Sequence, residues 1–109
     1  MTRDLFSAIA DPTRRAIITL LALQTLTPNA LAEHFQTTRQ AVSKHLRILV
    51  ECELITPHPQ GREIYYQLEV EKLEEIDRWL AQFRKIWEAK FNQLDTLLFT
   101  LQNPQKDEQ

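Results

Sequence analysis

Across residues 36–50 the chain sorts apolar and polar side chains with helical spacing. Val42, Leu46, Leu49 and Val50 fall at i, i+4, i+7 and i+8, and Arg39, Gln40, Ser43, Lys44 and Arg47 occupy the opposite stripe. The pattern predicts one helix with a core face and a donor-rich face. Thr38 is its expected N-cap, placed to accept a backbone N–H that the first turn leaves unpaired. A short helix is predicted just before it, over residues 27–35, with Thr27 as N-cap and Pro28 at the first helical position, where a missing N–H is no loss. Only Gln36 and Thr37 remain to join the two, which is the spacing of a helix-turn-helix. Asp11 and Pro12 open another helix in the same manner, running to about Leu23. After residue 54 the period changes to two: Ile64, Tyr66 and Leu68 alternate with Glu63, Tyr65 and Gln67. A turn centred on Gln60 and Gly61 places the single glycine where a positive φ is expected, so residues 54–68 read as a β-hairpin wing.

The last third of the chain returns to helical spacing. Leu73, Ile76, Leu80, Phe83, Trp87, Leu94, Leu97 and Leu101 follow a heptad-like pattern that Lys90 interrupts; Phe91 sits beside the break, and Trp79 and Ile86 widen the stripe. A helix of about 25 to 30 residues with this much apolar surface needs a second surface to cover part of it, and a second copy of the chain is the expected one. Leu5, Phe6 and Ile9, on a short N-terminal helix, are the natural further contributors to that dimer interface. Asn103 and Pro104 stop the helix. The expected organisation is one domain over residues 1–101 and a disordered polar tail over 102–109.

The donor-rich stripe carries the candidate chemistry. Arg, Gln, Ser and Lys are the side chains that reach base edges and phosphates in a major groove, so Arg39, Gln40, Ser43 and Lys44 are candidate reading residues for double-stranded DNA, with Thr38 and Arg47 on the flanks. Arg62, at the wing tip, is placed to meet a phosphate or a narrow minor groove. The formal net charge of −2 opposes nucleic-acid binding, but the charge is segregated. Residues 36–50 hold Arg39, Lys44 and Arg47 and no acid, whereas Glu69, Glu71, Glu74, Glu75 and Asp77 crowd the segment that follows the wing. Arg14 and Arg15 stand in a helical first turn, where the dipole disfavours cations; an ion pair with an acidic neighbour or a phosphate contact would account for them.

Other classes find little support. There is no nucleophile elbow and no glycine-rich phosphate loop, so no enzyme is expected. No apolar run reaches membrane-spanning length, Arg3 and Asp4 break any leader pattern, and one cysteine fits a reducing, cytoplasmic compartment. Cys52 is expected to be a small buried hydrophobe, with a redox role as the sharper alternative. His45 is expected to be half-buried and hydrogen-bonded locally. The strongest rival to DNA binding is a protein-interaction module built on the aromatic seam, with the helix-turn-helix kept as scaffold.

The order FSAIADPTRRAIITLL, LAEHF, AVSKHLRIL, LI and GREIYYQL resembles the winged-helix repressors of the ArsR/SmtB type, from about Leu5 to Leu68 and on into the C-terminal helix. The combination of ADPTRR, VSKHL and GR followed by YY is the specific part. The resemblance implies a small, mainly α winged helix with a β-hairpin, a symmetric dimer and repression by operator binding. It also raises the question of metal sensing, since metal-sensing members carry cysteines before the recognition helix or Asp/His/Glu clusters on the C-terminal helix. Here the first position reads Asn29, Ala30, Leu31, Ala32, Glu33 and His34, and residues 70–101 contain no histidine. The similarity is therefore to branches without metal ligands, the SdpR-type autorepressors, and no metal or other cofactor is expected.

Overall fold

Local chemistry sets the helix starts. In a computed structural model that describes residues 4–103, α1 (Leu5–Ile9), α2 (Pro12–Leu21), α3 (Pro28–Phe35) and α4 (Arg39–Glu51) each begin after an Asp or Thr whose side chain accepts a backbone N–H. Asp11 accepts from Arg14 N at 3.0 Å, Thr27 from Ala30 N at 3.1 Å and Thr38 from Ala41 N at 3.2 Å. Strands β1 (Ile55–Gln60) and β2 (Glu63–Leu68) form an antiparallel hairpin, a 3-10 turn follows at Val70–Leu73, and α5 (Glu74–Gln102) runs for 29 residues. The expected mainly α winged helix with a long C-terminal helix is what the chain adopts. It divides into two compact units, one ending at Glu74 and one starting at Glu75, and the span expected as one domain takes in both.

The core of the first unit is apolar throughout. Ile17, Leu31, Val42, Leu46, Leu49, Leu54 and Ile55 are its largest fully buried side chains, so α4 is held by one face against α2, α3 and the start of β1. Each such burial contributes about 1.5 to 3 kcal/mol, which is why α4 can leave its other face entirely polar. Leu5, expected at a dimer interface, is 8% exposed and belongs to this core, leaving Phe6 and Ile9 half-buried on the same short helix.

Helix ends depart from the usual sequence signals. α3 closes with Gln36 N donating to Glu33 O at 3.2 Å and Thr37 N to Ala32 O at 3.0 Å; α4 closes with Glu53 N to Val50 O at 2.9 Å and Leu54 N to Leu49 O at 3.0 Å. Both are Schellman closures, and both put a residue with a Cβ in the left-handed region: Gln36 at φ 53° and Glu53 at φ 60°. Gln36→Gly is therefore expected to stabilise the fold by about 0.5 to 1 kcal/mol, the relief of left-handed strain less the added chain entropy. A denaturation midpoint that stays unchanged or falls would contradict it.

The hairpin turn consists of Gly61 and Arg62, one residue later than expected, because Gln60 pairs with Glu63. Gly61 has φ +65° and Arg62 does not share the positive sign, the pattern of a type II′ turn. Tyr66 exchanges both backbone hydrogen bonds with Leu26, N to O at 2.9 Å and O from N at 3.4 Å. Its partner across the hairpin, Pro57, thus occupies a position where no ladder N–H is needed, and Pro59 repeats the arrangement two residues on. The Leu26 bridge anchors the wing to the loop before α3. Alternating burial holds only near that anchor: Leu68 is buried, whereas Ile64, near the tip, is 39% exposed.

Arg14 and Arg15 find their partners in main-chain carbonyls rather than acids. Arg14 Nε donates to Ala8 O at 2.7 Å and Nη2 to Ser7 O at 3.2 Å, while Arg15 Nη1 donates to Ile9 O at 2.8 Å and Ala10 O at 3.1 Å. Two cations that burden the start of α2 thereby satisfy the carbonyl end of α1. Asp11 is held below the ordinary carboxylate range, chiefly by the Arg14 N–H, against the opposing effect of burial and with help from the charges of His45 and Arg14. A depressed native value means stability that is present above the unfolded value of about 3.9 and lost as pH falls through the native one. Asp11→Asn keeps a capping oxygen, so its deficit against the parent chain is expected to shrink below about pH 4 in urea titrations. A deficit constant with pH would contradict that coupling.

Leu73 lies in the 3-10 turn rather than on the long helix, and Gln102, expected in the tail, is the last residue of α5. The rest of the expected tail, from residue 104, is outside the described residues. Along α5, Ile76 and Leu80 are half-buried, and Phe83, Trp87, Leu94, Leu97 and Leu101 are exposed in the single chain. Trp79 and Phe83 meet edge to face, ring centroids 5.0 Å apart, and Arg84 pairs with Asp77 on the polar side.

Candidate nucleic-acid interface

The residues expected to read DNA come together on one surface. Arg39, Gln40, Ser43, Lys44 and Arg47 line a single open depression along α4, while Val42, Leu46 and Leu49 are buried behind it. Arg39, Gln40, Lys44 and Arg47 are exposed, Ser43 is half-buried, and Thr38 spends its Oγ1 on the cap while standing exposed beside them. Among the described residues, none of Arg39, Gln40, Lys44, Arg47 and Arg62 forms a side-chain hydrogen bond or ion pair. Arg39 is the first residue of α4, where the dipole disfavours a cation by about 0.3 to 1 kcal/mol. A cation kept there without an internal partner costs the fold and leaves its donors for an external acceptor.

Arg62 is joined to this surface in a way the sequence did not indicate. A second depression is lined by Thr27, Pro28, Asn29, Arg39, Arg62, Glu63 and Ile64, so Arg39 borders both hollows and connects α4 to the wing tip. The local signal of Thr27 is capping chemistry alone, and it is the Leu26–Tyr66 bridge that ties the wing to the loop just before it. Glu63 is turned to its own strand, accepting from Tyr65 Oη at 3.2 Å, a contact that raises the Tyr65 phenol above its ordinary range.

His45 is half-buried as expected, but its contacts are distant in sequence: Nδ1 lies 3.5 Å from Arg14 Nη1 and 3.9 Å from Asp11 Oδ2. Cys52 is only half-buried; it follows α4 as its C-cap, and its Sγ lies 3.7 Å from Asp4 O. Among the described residues no group of three or more His, Cys, Asp or Glu side chains comes together to hold a metal ion, and no helix is long and apolar enough to cross a membrane.

A family model described as a helix-turn-helix domain matches residues 9–58, which takes in α2, α3, α4 and the start of β1. The transcriptional repressor SdpR of Bacillus subtilis (strain 168) is 40% identical over 80 residues, covering 73% of this chain and 89% of that protein. A crystal structure of an ArsR family transcriptional regulator superposes with a TM-score of 0.67 at 35% identity, over 76% of this chain and 91% of that one. The chain belongs to the ArsR family of winged-helix transcriptional repressors. A further ArsR-type relative, the arsenical resistance operon repressor of Staphylococcus xylosus, is 35% identical over 68% of this chain and 71% of its own length. Members of the ArsR family are DNA-binding transcriptional regulators and not enzymes.

Proposed function

We propose that this ArsR-family chain represses transcription as a homodimer that binds an inverted-repeat operator, reading each half-site with the polar face of α4. The observation that carries the proposal is the uncommitted stripe itself: five polar side chains line one hollow, and its four long ones have no side-chain partner among the described residues. Arg39, Gln40, Ser43 and Lys44 meet base edges in the major groove, and Thr38 and Arg47 meet the backbone on either side. The apolar face of α5, with half-buried Ile76 and Leu80 and exposed Phe83 and Trp87, pairs with its copy, and Leu5, Phe6, Ile9 and Leu73 are the further contributors to the dimer. Selection from a pool of random duplexes tests the proposal. The expected product is an inverted repeat with half-site centres about 10 to 10.5 base pairs apart or a multiple of that. Binding that survives scrambling of every recovered sequence would overturn it.

The wing adds a backbone contact. Arg62→Ala is expected to weaken operator binding and to lower the slope of log affinity against log salt by about one, since one released counterion is lost. An unchanged slope would assign the wing a structural role only.

A further inference from the structure

We propose that Arg14 is a positioning residue for DNA binding, tying the carbonyl end of α1 to neutral His45 on the recognition helix, and that protonation of His45 releases this tie. The proposal rests on the DNA-binding reading of α4 given above. Two bonds from the planar guanidinium, to Ala8 O at 2.7 Å and Ser7 O at 3.2 Å, fix its plane against α1. The remaining Nη1 edge lies 3.5 Å from His45 Nδ1. An arginine donates and never accepts, so this arrangement suits a ring whose Nδ1 holds a lone pair and whose proton is on Nε2. One side chain of α2 thus spans α1 and α4.

The surroundings of His45 give the ring two alternative partners. From α2 and its cap come Arg14 and Asp11, the charged groups that face it, with Thr13 beside them; from the end of α3 and the turn come Phe35 and Thr37, and from its own helix Ala41 and Val42, all uncharged. The α1 carbonyls near Arg14 are already taken by it. A proton on Nδ1 turns the Arg14 contact into one between two cations and gives the ring a donor toward Asp11 Oδ2, 3.9 Å away. His45 then exchanges Arg14 for Asp11, and the tie from the middle of α4 to the carbonyl end of α1 is lost, leaving the Cys52–Asp4 contact at the far end of α4. Val42, Leu46 and Leu49 still hold the helix in the core, so the change is one of placement and not of folding. Ser43 and Lys44 immediately precede His45, which brings the displacement directly to the reading face.

The test uses the full chain and a selected operator duplex at constant ionic strength, with affinity measured from pH 7.5 to 5.5. The parent chain is expected to lose about five- to tenfold in affinity across that range. His45→Gln, which keeps an acceptor but takes up no proton, is expected to bind at pH 5.5 as it does at pH 7.5. Arg14→Lys, which keeps the charge but not the fork, is expected to bind more weakly at neutral pH and to flatten the profile. A His45→Gln profile as steep as the parent's overturns the proposal, as does an Arg14→Lys chain with the parent's affinity and profile. Should Arg14→Lys fail to fold, the His45→Gln profile decides. Nitrogen-15 spectra of the free protein separate this proposal from the DNA-binding one: His45 is expected as the Nε2–H tautomer at pH 7.5, and an Nδ1–H tautomer overturns the tie whatever the DNA result.

Discussion

Trp87→Glu is expected to abolish high-affinity operator binding although it lies on α5 and is not one of the residues that line the polar hollow of α4. The side chain is 51% exposed in the single chain and sits in the apolar stripe with Phe83 and Ile86, so the substitution removes nothing from the core around Ile17 and Leu46. In an isologous dimer each seam meets its own copy, and one substitution places two unpaired carboxylates in the same apolar contact. An uncompensated buried charge costs about 3 to 5 kcal/mol, enough to raise the dimer dissociation constant by two orders of magnitude or more. A monomer then holds one half-site, and the affinity gained from the second is lost. Sedimentation and mobility shifts check this together. A parent chain that stays monomeric at micromolar concentration, or a monomeric variant with parental affinity, would assign the seam another partner.

The second large effect is expected at the centre of the stripe. Gln40→Ala should cost about 1 to 3 kcal/mol and relax selectivity at one base pair per half-site, because a glutamine amide can donate to and accept from one base edge at once. Arg47→Ala, at the flank, should weaken all duplexes by a similar factor, as loss of a phosphate contact does. A Gln40 variant that discriminates among single base-pair changes as the parent does would remove Gln40 from the reading set.

Much of this was legible in the chain because it is local. Asp11, Thr27 and Thr38 cap the helices they were expected to cap, and Pro12 and Pro28 follow at the first helical positions, since an oxygen three residues before an unpaired N–H acts within one turn. The division of α4 into a buried and an exposed face followed from spacing alone, and the five polar residues assigned to one stripe line one hollow. What escaped was set by tertiary contact. Gln36 and Glu53 take left-handed conformations without glycine or asparagine to announce them, because the packing on either side of each Schellman closure outweighs the strain. The Leu26–Tyr66 bridge joins residues forty apart, and nothing near Leu26 marks it as a strand partner. Arg14 and Arg15 were expected to meet an acidic neighbour or a phosphate, but α1 ends in front of them and offers carbonyls.

Methylation interference on a selected operator tests the central claim most directly, since it asks which groove is read and how often. Guanine N7 lies in the major groove and adenine N3 in the minor groove, so the two modifications separate contact by α4 from contact by the wing alone. The expected result is two clusters of N7 interference on one face of the duplex, related by two-fold symmetry and centred about 10 to 10.5 base pairs apart or a multiple of that. A single cluster, or interference confined to adenine N3, would mean that the polar face of α4 does not read an operator as one half of a symmetric dimer.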